Sequence, residues 1–220
     1  MDGKVKEAKD HLVHFYSELE ERFNIITHGI GFIASIVGAY FLLTKAYPPE
    51  APMEYFSYII YSFSLIILYG ASTLYHSAKN LKWRRKLNII DHAAIFLLIA
   101  GSYTPFTIIT LKGTVGWSVF AIVWIIALIG IIFKLFFTGR FEKLSTAMFI
   151  IMGWLGIFVI NPLIAALTTP ALILLFAGGI FYSLGAVFFS LKKIRFNHAI
   201  FHVFVIAGSI SHYFSIYFYV

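Results

Sequence analysis

At 220 residues, 60% hydrophobic and 12% charged, with a mean hydropathy of +0.86, the chain cannot present the surface of a soluble protein and reads as an integral membrane protein without a separate soluble domain. It has no cysteine, which excludes disulfides and thiolate sites, so any metal must take nitrogen and oxygen ligands. The net charge of +7 invites a nucleic-acid partner, a reading that the placement of the charges removes.

Residues 1–24 are charged, with Val5, Ala8, Leu12, Phe15, Tyr16, Leu19 and Phe23 at helical spacing. This pattern predicts a short amphipathic N-terminal helix, either lying on the membrane surface or solvated and without function, and no cleaved signal peptide. Seven apolar stretches follow, near 25–43, 55–78, 87–111, 115–137, 144–161, 170–191 and 197–219. Each can cross a hydrocarbon core of roughly 30 Å, so residues 25–220 are expected to form one all-α, seven-transmembrane helix bundle. Connections are short, marked by Pro48-Pro49, Lys112-Gly113 and Thr168-Thr169-Pro170. Pro105 should kink the third span. Gly153, Gly156, Gly178, Gly179 and Gly185 read as close-packing positions.

With alternating spans, every Lys and Arg except Lys45 and Lys112 falls on the side of the N-terminus. The positive-inside rule then puts the N-terminus in the cytoplasm and the C-terminus outside, as expected for a multi-pass protein of the cytoplasmic membrane. The basic residues are topology signals that attract anionic lipid, and they need no nucleic acid.

This orientation turns scattered histidines into a site. Ser72 and His76 end the second span, Asp91 and His92 begin the third, and His198 and His202 begin the seventh. Both i,i+4 pairs share a helix face, and all of these residues sit at one depth in the inner leaflet. Ionisable groups at that depth cost several kcal/mol unless they pair, face the bundle interior or bind a metal. Three neutral imidazoles with one open position is the donor set of catalytic zinc sites, so His76, His198 and His202 are the candidate metal ligands. Asp91 can orient a bound water or act as general base. Ser72 has two readings, a donor to a developing oxyanion or a back-bond to the carbonyl of residue 68. His28 either reaches the site or packs with Asn24 and Thr27. His92 points about a quarter-turn from Asp91 and reads as a supporting residue, and His212, about 15 Å further along its helix than His202, reads as a buried, hydrogen-bonded side chain.

Ser72-Thr-Leu-Tyr-His76, Asp91 followed by Gly101-Ser-Tyr-Thr-Pro105, and His198-Ala-Ile-Phe-His202 in the last span together resemble the progestin and adipoQ receptor family. The bacterial hemolysin-III branch is the most similar, with Asn24-Ile-Ile-Thr27-His28-Gly-Ile-Gly31 matching its opening motif. The resemblance covers about residues 20–220. It implies zinc on His76, His198 and His202, a water-holding carboxylate at Asp91, and a serine beside the metal at Ser72. It also implies kinship with alkaline ceramidases, and associates such proteins with hemolysis, membrane-fluidity homeostasis and lipid hydrolysis. The long N-terminal domain of the animal hormone receptors is missing.

G-protein-coupled receptors have the opposite orientation, and retinal proteins need a lysine in the last span, where there is none. The leading expectation is therefore a zinc-dependent hydrolase of a lipid amide or ester, acting on a ceramide-like or other fatty-acyl membrane lipid and linked to lipid homeostasis. The alternatives are a non-catalytic, zinc-stabilised sensor and a membrane-permeabilising hemolysin.

Overall fold

The computed structural model describes residues 14–47 and 52–220, and among these residues all regular structure is helical. Seven helices are long and apolar enough to cross a membrane: Glu18–Lys45, Pro52–Ser77, Leu81–Leu111, Gly113–Phe137, Glu142–Ala166, Thr169–Ser190 and Asn197–Tyr219. They are called the first to seventh spans. Residues 1–13 of the expected surface helix lie outside the described residues, and 14–17 are not helical. Glu18–Asn24 form the opening turns of the first span itself. The helix starts this early because the Ser17 hydroxyl accepts from the Glu20 N–H at 3.3 Å, three glutamates favour the first turn, and no breaker lies before Ile25.

The third span is the axis of the bundle. Two-thirds of its most apolar stretch is buried, against about a fifth for the fourth span and a tenth for the fifth. Phe96 and Ala100 pack on Val123, Ala127 and Met152 of the fourth and fifth spans. Leu98 and Phe106 join Tyr58, Tyr61, Leu65 and Val205 in a second core with the second and seventh. At Pro105 the α-helix passes into a π-helical turn, Phe106–Leu111. Proline lacks the N–H that would meet the Gly101 carbonyl, and the hydroxyls on either side bond back to their own helix: Thr104 donates to Ala100 at 2.9 Å and Thr107 to Tyr103 at 3.0 Å.

The fifth span is broken. An α-helix over Glu142–Gly153 gives way to a 3-10 stretch, Leu155–Val159, before Ile160–Ala166 resumes. Glycines at 153 and 156 and Pro162 weaken the helix here. Tyr103 of the third span closes the gap, its hydroxyl donating to the Gly153 carbonyl at 2.7 Å and accepting from the Gly156 N–H at 2.9 Å. Neither glycine is a close-packing position, since a Cβ at Gly153 would meet nothing within 4 Å and one at Gly156 only ordinary contacts. Gly178 is: a Cβ there would lie 2.1 Å from the His212 ring, whose Nε2 reaches the Leu175 carbonyl at 3.1 Å.

Candidate metal centre

The three candidate ligands arrive on two helices. His76 stands in the last turn of the second span, and His198 and His202 lie one turn apart at the start of the seventh. The entry to the seventh span is fixed by Asn197, whose amide donates to the Phe189 carbonyl at 3.1 Å, after Phe196 turns through the left-handed region (φ 59°). His76, His198 and His202 are buried, and one ligand atom of each lies within 4.8 Å of the others, a grouping that can hold a metal ion. The Nε2 atoms of His76 and His198 are 3.1 Å apart.

What holds the rings is a set of partners on the first span. Glu21 Oε2 accepts from His76 Nδ1 at 2.6 Å, which leaves the His76 Nε2 lone pair facing the centre. The Asn24 amide lies 3.4 Å from the same Nδ1, and His202 meets the Asn24 carbonyl and, at 3.4 Å, the Thr27 hydroxyl. His28 stacks flat on His202, with centroids 3.4 Å apart and planes 7° apart, and both of its nitrogens are buried without a hydrogen-bond partner among the described residues. Of its two readings, His28 therefore takes the one that reaches the site. His198 has no hydrogen bond to Nδ1 among the described residues and is covered by the Tyr16 ring, 4.6 Å away. Burial pushes the Tyr16 phenol above its ordinary range, so it covers the site as a neutral group.

Arg84 ties this arrangement together. It is 2% exposed, pairs with Glu21, and donates to the Tyr75 carbonyl at 3.3 Å, the His76 carbonyl at 3.4 Å and the His14 carbonyl at 3.0 Å. It thus caps the helix end that carries His76 and holds the N-terminal segment across the site. In the sequence Arg84 falls among the topology charges and Glu21 on the expected surface helix. The available signal was the spacing Glu21, Asn24, His28, which is one helix face.

Asp91 and Ser72 share a cavity with most of these imidazoles. With His28, His92, His198 and His202 they border a cavity of about 120 Å³ that is otherwise largely apolar. His76 is not part of its lining. Among the described residues the Ser72 hydroxyl is buried with no hydrogen-bond partner of normal geometry, and the acceptor beside it is the Asp91 carboxylate. It does not form the back-bond that its neighbour Thr73 makes to Tyr69 at 2.7 Å. Asp91 Oδ2 lies 3.8 Å from His92 Nδ1, which is committed to the Asn88 carbonyl at 2.9 Å.

The chain's similarities agree with this arrangement. A sequence profile described as Haemolysin-III related matches residues 16–213. Hemolysin-3 of Bacillus cereus is 49% identical over 201 residues, covering 91% of this chain and 92% of the relative. The Hemolysin-3 homolog of Bacillus subtilis (strain 168) is 48% identical over 200 residues, covering 91% and 94%. The human monocyte to macrophage differentiation factor is 26% identical over 206 residues, covering 90% and 83%. The motifs on the first, second, third and seventh spans thus stand within a similarity that runs almost end to end, and the chain belongs to the haemolysin-III-related family of membrane proteins.

Proposed function

We propose that this protein is a zinc-dependent hydrolase that cleaves an amide or ester bond of a membrane lipid. The observation that carries the reading is the convergence of three imidazoles, a carboxylate and an unsatisfied hydroxyl on one buried site beside an apolar cavity. The donor set fits zinc: a tetrahedral ion with Zn–N near 2.1 Å separates its nitrogens by about 3.4 Å, and the His76 and His198 Nε2 atoms stand 3.1 Å apart. When bound, zinc supplies a Lewis acid and a water acidified toward neutrality.

The chain's own residues supply the rest. Asp91 accepts the proton of the attacking water and returns it to the departing amine or alkoxide. Ser72 donates to the carbonyl oxygen as negative charge develops there, a contribution of about 3 kcal/mol where such donors have been removed from other hydrolases. Glu21 keeps His76 in one tautomer, and Tyr16 limits water entry from the basic end. The clustering of Lys and Arg supports a cytoplasmic N-terminus in a cytoplasmic membrane, which sets the site at the depth of inner-leaflet ester and amide bonds.

The test is release of fatty acid from ceramide and phospholipid by the purified, metal-analysed protein. The expected result is turnover that Asp91→Asn abolishes while bound zinc is unchanged. Zinc retained without turnover on a broad lipid panel would favour the sensor. Dye leakage from liposomes that survives His202→Ala would favour permeabilisation.

A further inference from the structure

Lys134 has no role in the site described so far. It lies near the end of the fourth span, in a bundle whose polar residues otherwise cluster on the first, second, third and seventh. Its side chain is 1% exposed, and it lines the same cavity as Asp91, His198 and His202. Among the described residues its ammonium makes no hydrogen bond and no ion pair within 4 Å. The counter-charge that acts on it is the Glu142 carboxylate, which stands beyond that distance. Glu142 pairs with Lys192 at 3.8 Å, Ser145 donates to the Phe141 carbonyl at 3.2 Å, and the His92 Nδ1 is committed to Asn88. A buried ammonium whose counter-charge is remote and shared with Lys192 is only partly compensated, so this position can take a further anion.

The depth of Lys134 says where that anion comes from. The fourth span ends at Phe137, so Lys134 is about one turn from the basic end, and His198 is the second residue of the seventh span. The cation and the imidazoles therefore face one cavity from the same level, where lipid headgroups meet acyl chains. The cavity between them is mainly apolar and suits an alkyl chain.

We propose that Lys134 is an anion-binding position for the cavity's lipid, holding a phosphate or carboxylate group beside the metal centre. The substrate class is then an anionic lipid, with its negative group close to the bond that is cut. This step rests on the hydrolase reading for the word substrate, but the binding it describes does not.

The test measures binding to chelated protein in uncharged maltoside micelles, so that neither zinc nor turnover contributes. The probes are dodecanoate, dodecyl phosphate and dodecanol, followed by native mass spectrometry. Wild-type protein is expected to hold at least one anionic probe about tenfold more tightly than dodecanol, a difference that Lys134→Met removes and Lys134→Arg retains. Preference for dodecyl phosphate identifies a phosphate headgroup, and preference for dodecanoate a carboxylate. Equal binding of all three probes, or a preference that Lys134→Met leaves intact, overturns the proposal. Should Lys134→Met not elute as a folded species, Lys134→Gln replaces it with the same two outcomes. Because the readout is binding without metal, its failure leaves the hydrolase reading standing, and failure of turnover leaves this one standing.

Discussion

The two halves of the bundle handle polar groups in opposite ways. The first, second, third and seventh spans bury Asn24, His28, Ser72, His76, Arg84, Asp91, His198 and His202 near one end, half-bury Glu21 beside them, and connect most of them through side chains on neighbouring spans. The fourth to sixth spans carry few buried polar residues, and most of their serines and threonines bond back to their own helix, as Ser183 does to Gly179 at 2.8 Å and Thr146 to Glu142 at 3.0 Å. Their polar contacts to other spans fasten packing, as Trp154 does on Ser183 at 2.9 Å and Tyr103 on the break of the fifth span. Charged and imidazole side chains that reach across helices mark the functional half, whereas serine and threonine back-bonds occur in both halves, as Thr73 to Tyr69 and Thr104 to Ala100 show.

The contrast is sharpest for a ligand. His202→Ala is expected to lower bound metal from about one ion per chain to almost none, because two imidazoles hold a divalent ion far more weakly than three. Elemental analysis of the purified variant checks this, with helical content by circular dichroism as the control for folding. Glu21→Gln should be intermediate. It keeps a hydrogen-bond acceptor near His76 but removes the charge, and a loss of about 10–100-fold in metal affinity is expected from comparable outer partners. Competition with a chromophoric chelator measures it.

In the packing half the expected losses are of stability and leave metal content unchanged. Gly130→Ala places a Cβ about as close as 2.4 Å to the Phe96 ring, which is fully buried and has little room to move. A destabilisation of about 1–3 kcal/mol follows from overpacking, read as a lower thermal midpoint in detergent. Tyr103→Phe removes the hydroxyl that serves Gly153 and Gly156 and should cost about 1–2 kcal/mol, the smallest of the four effects.

Much of this was legible in the residues. Apolar runs separated by short turns give all seven spans within a few residues at most ends, because hydrocarbon thickness dictates length. The i,i+4 pairs in the second and seventh spans are legible for a similar reason: helical spacing decides which side chains share a face. What the pattern hides is whether a charged residue near a span end is solvated or buried. Arg84 and Arg85 are adjacent and chemically identical, yet Arg84 is buried and caps the second span while Arg85 is half-buried. Glu21 is hidden by the same ambiguity, since an acidic residue in a first helical turn needs no explanation beyond the helix dipole. The break of the fifth span was not expected either, because glycine tolerates both close packing and interruption, and the choice here depends on Tyr103 reaching from another helix.

The central claim is that imidazoles from the second and seventh spans share one metal ion. X-ray absorption at the zinc edge on purified, zinc-loaded protein tests it most directly. The account expects one tightly held ion with three imidazole shells at about 2.0–2.1 Å and a light oxygen neighbour. A sample that retains no ion, or a spectrum with a single imidazole that is unchanged in His76→Ala, would contradict it.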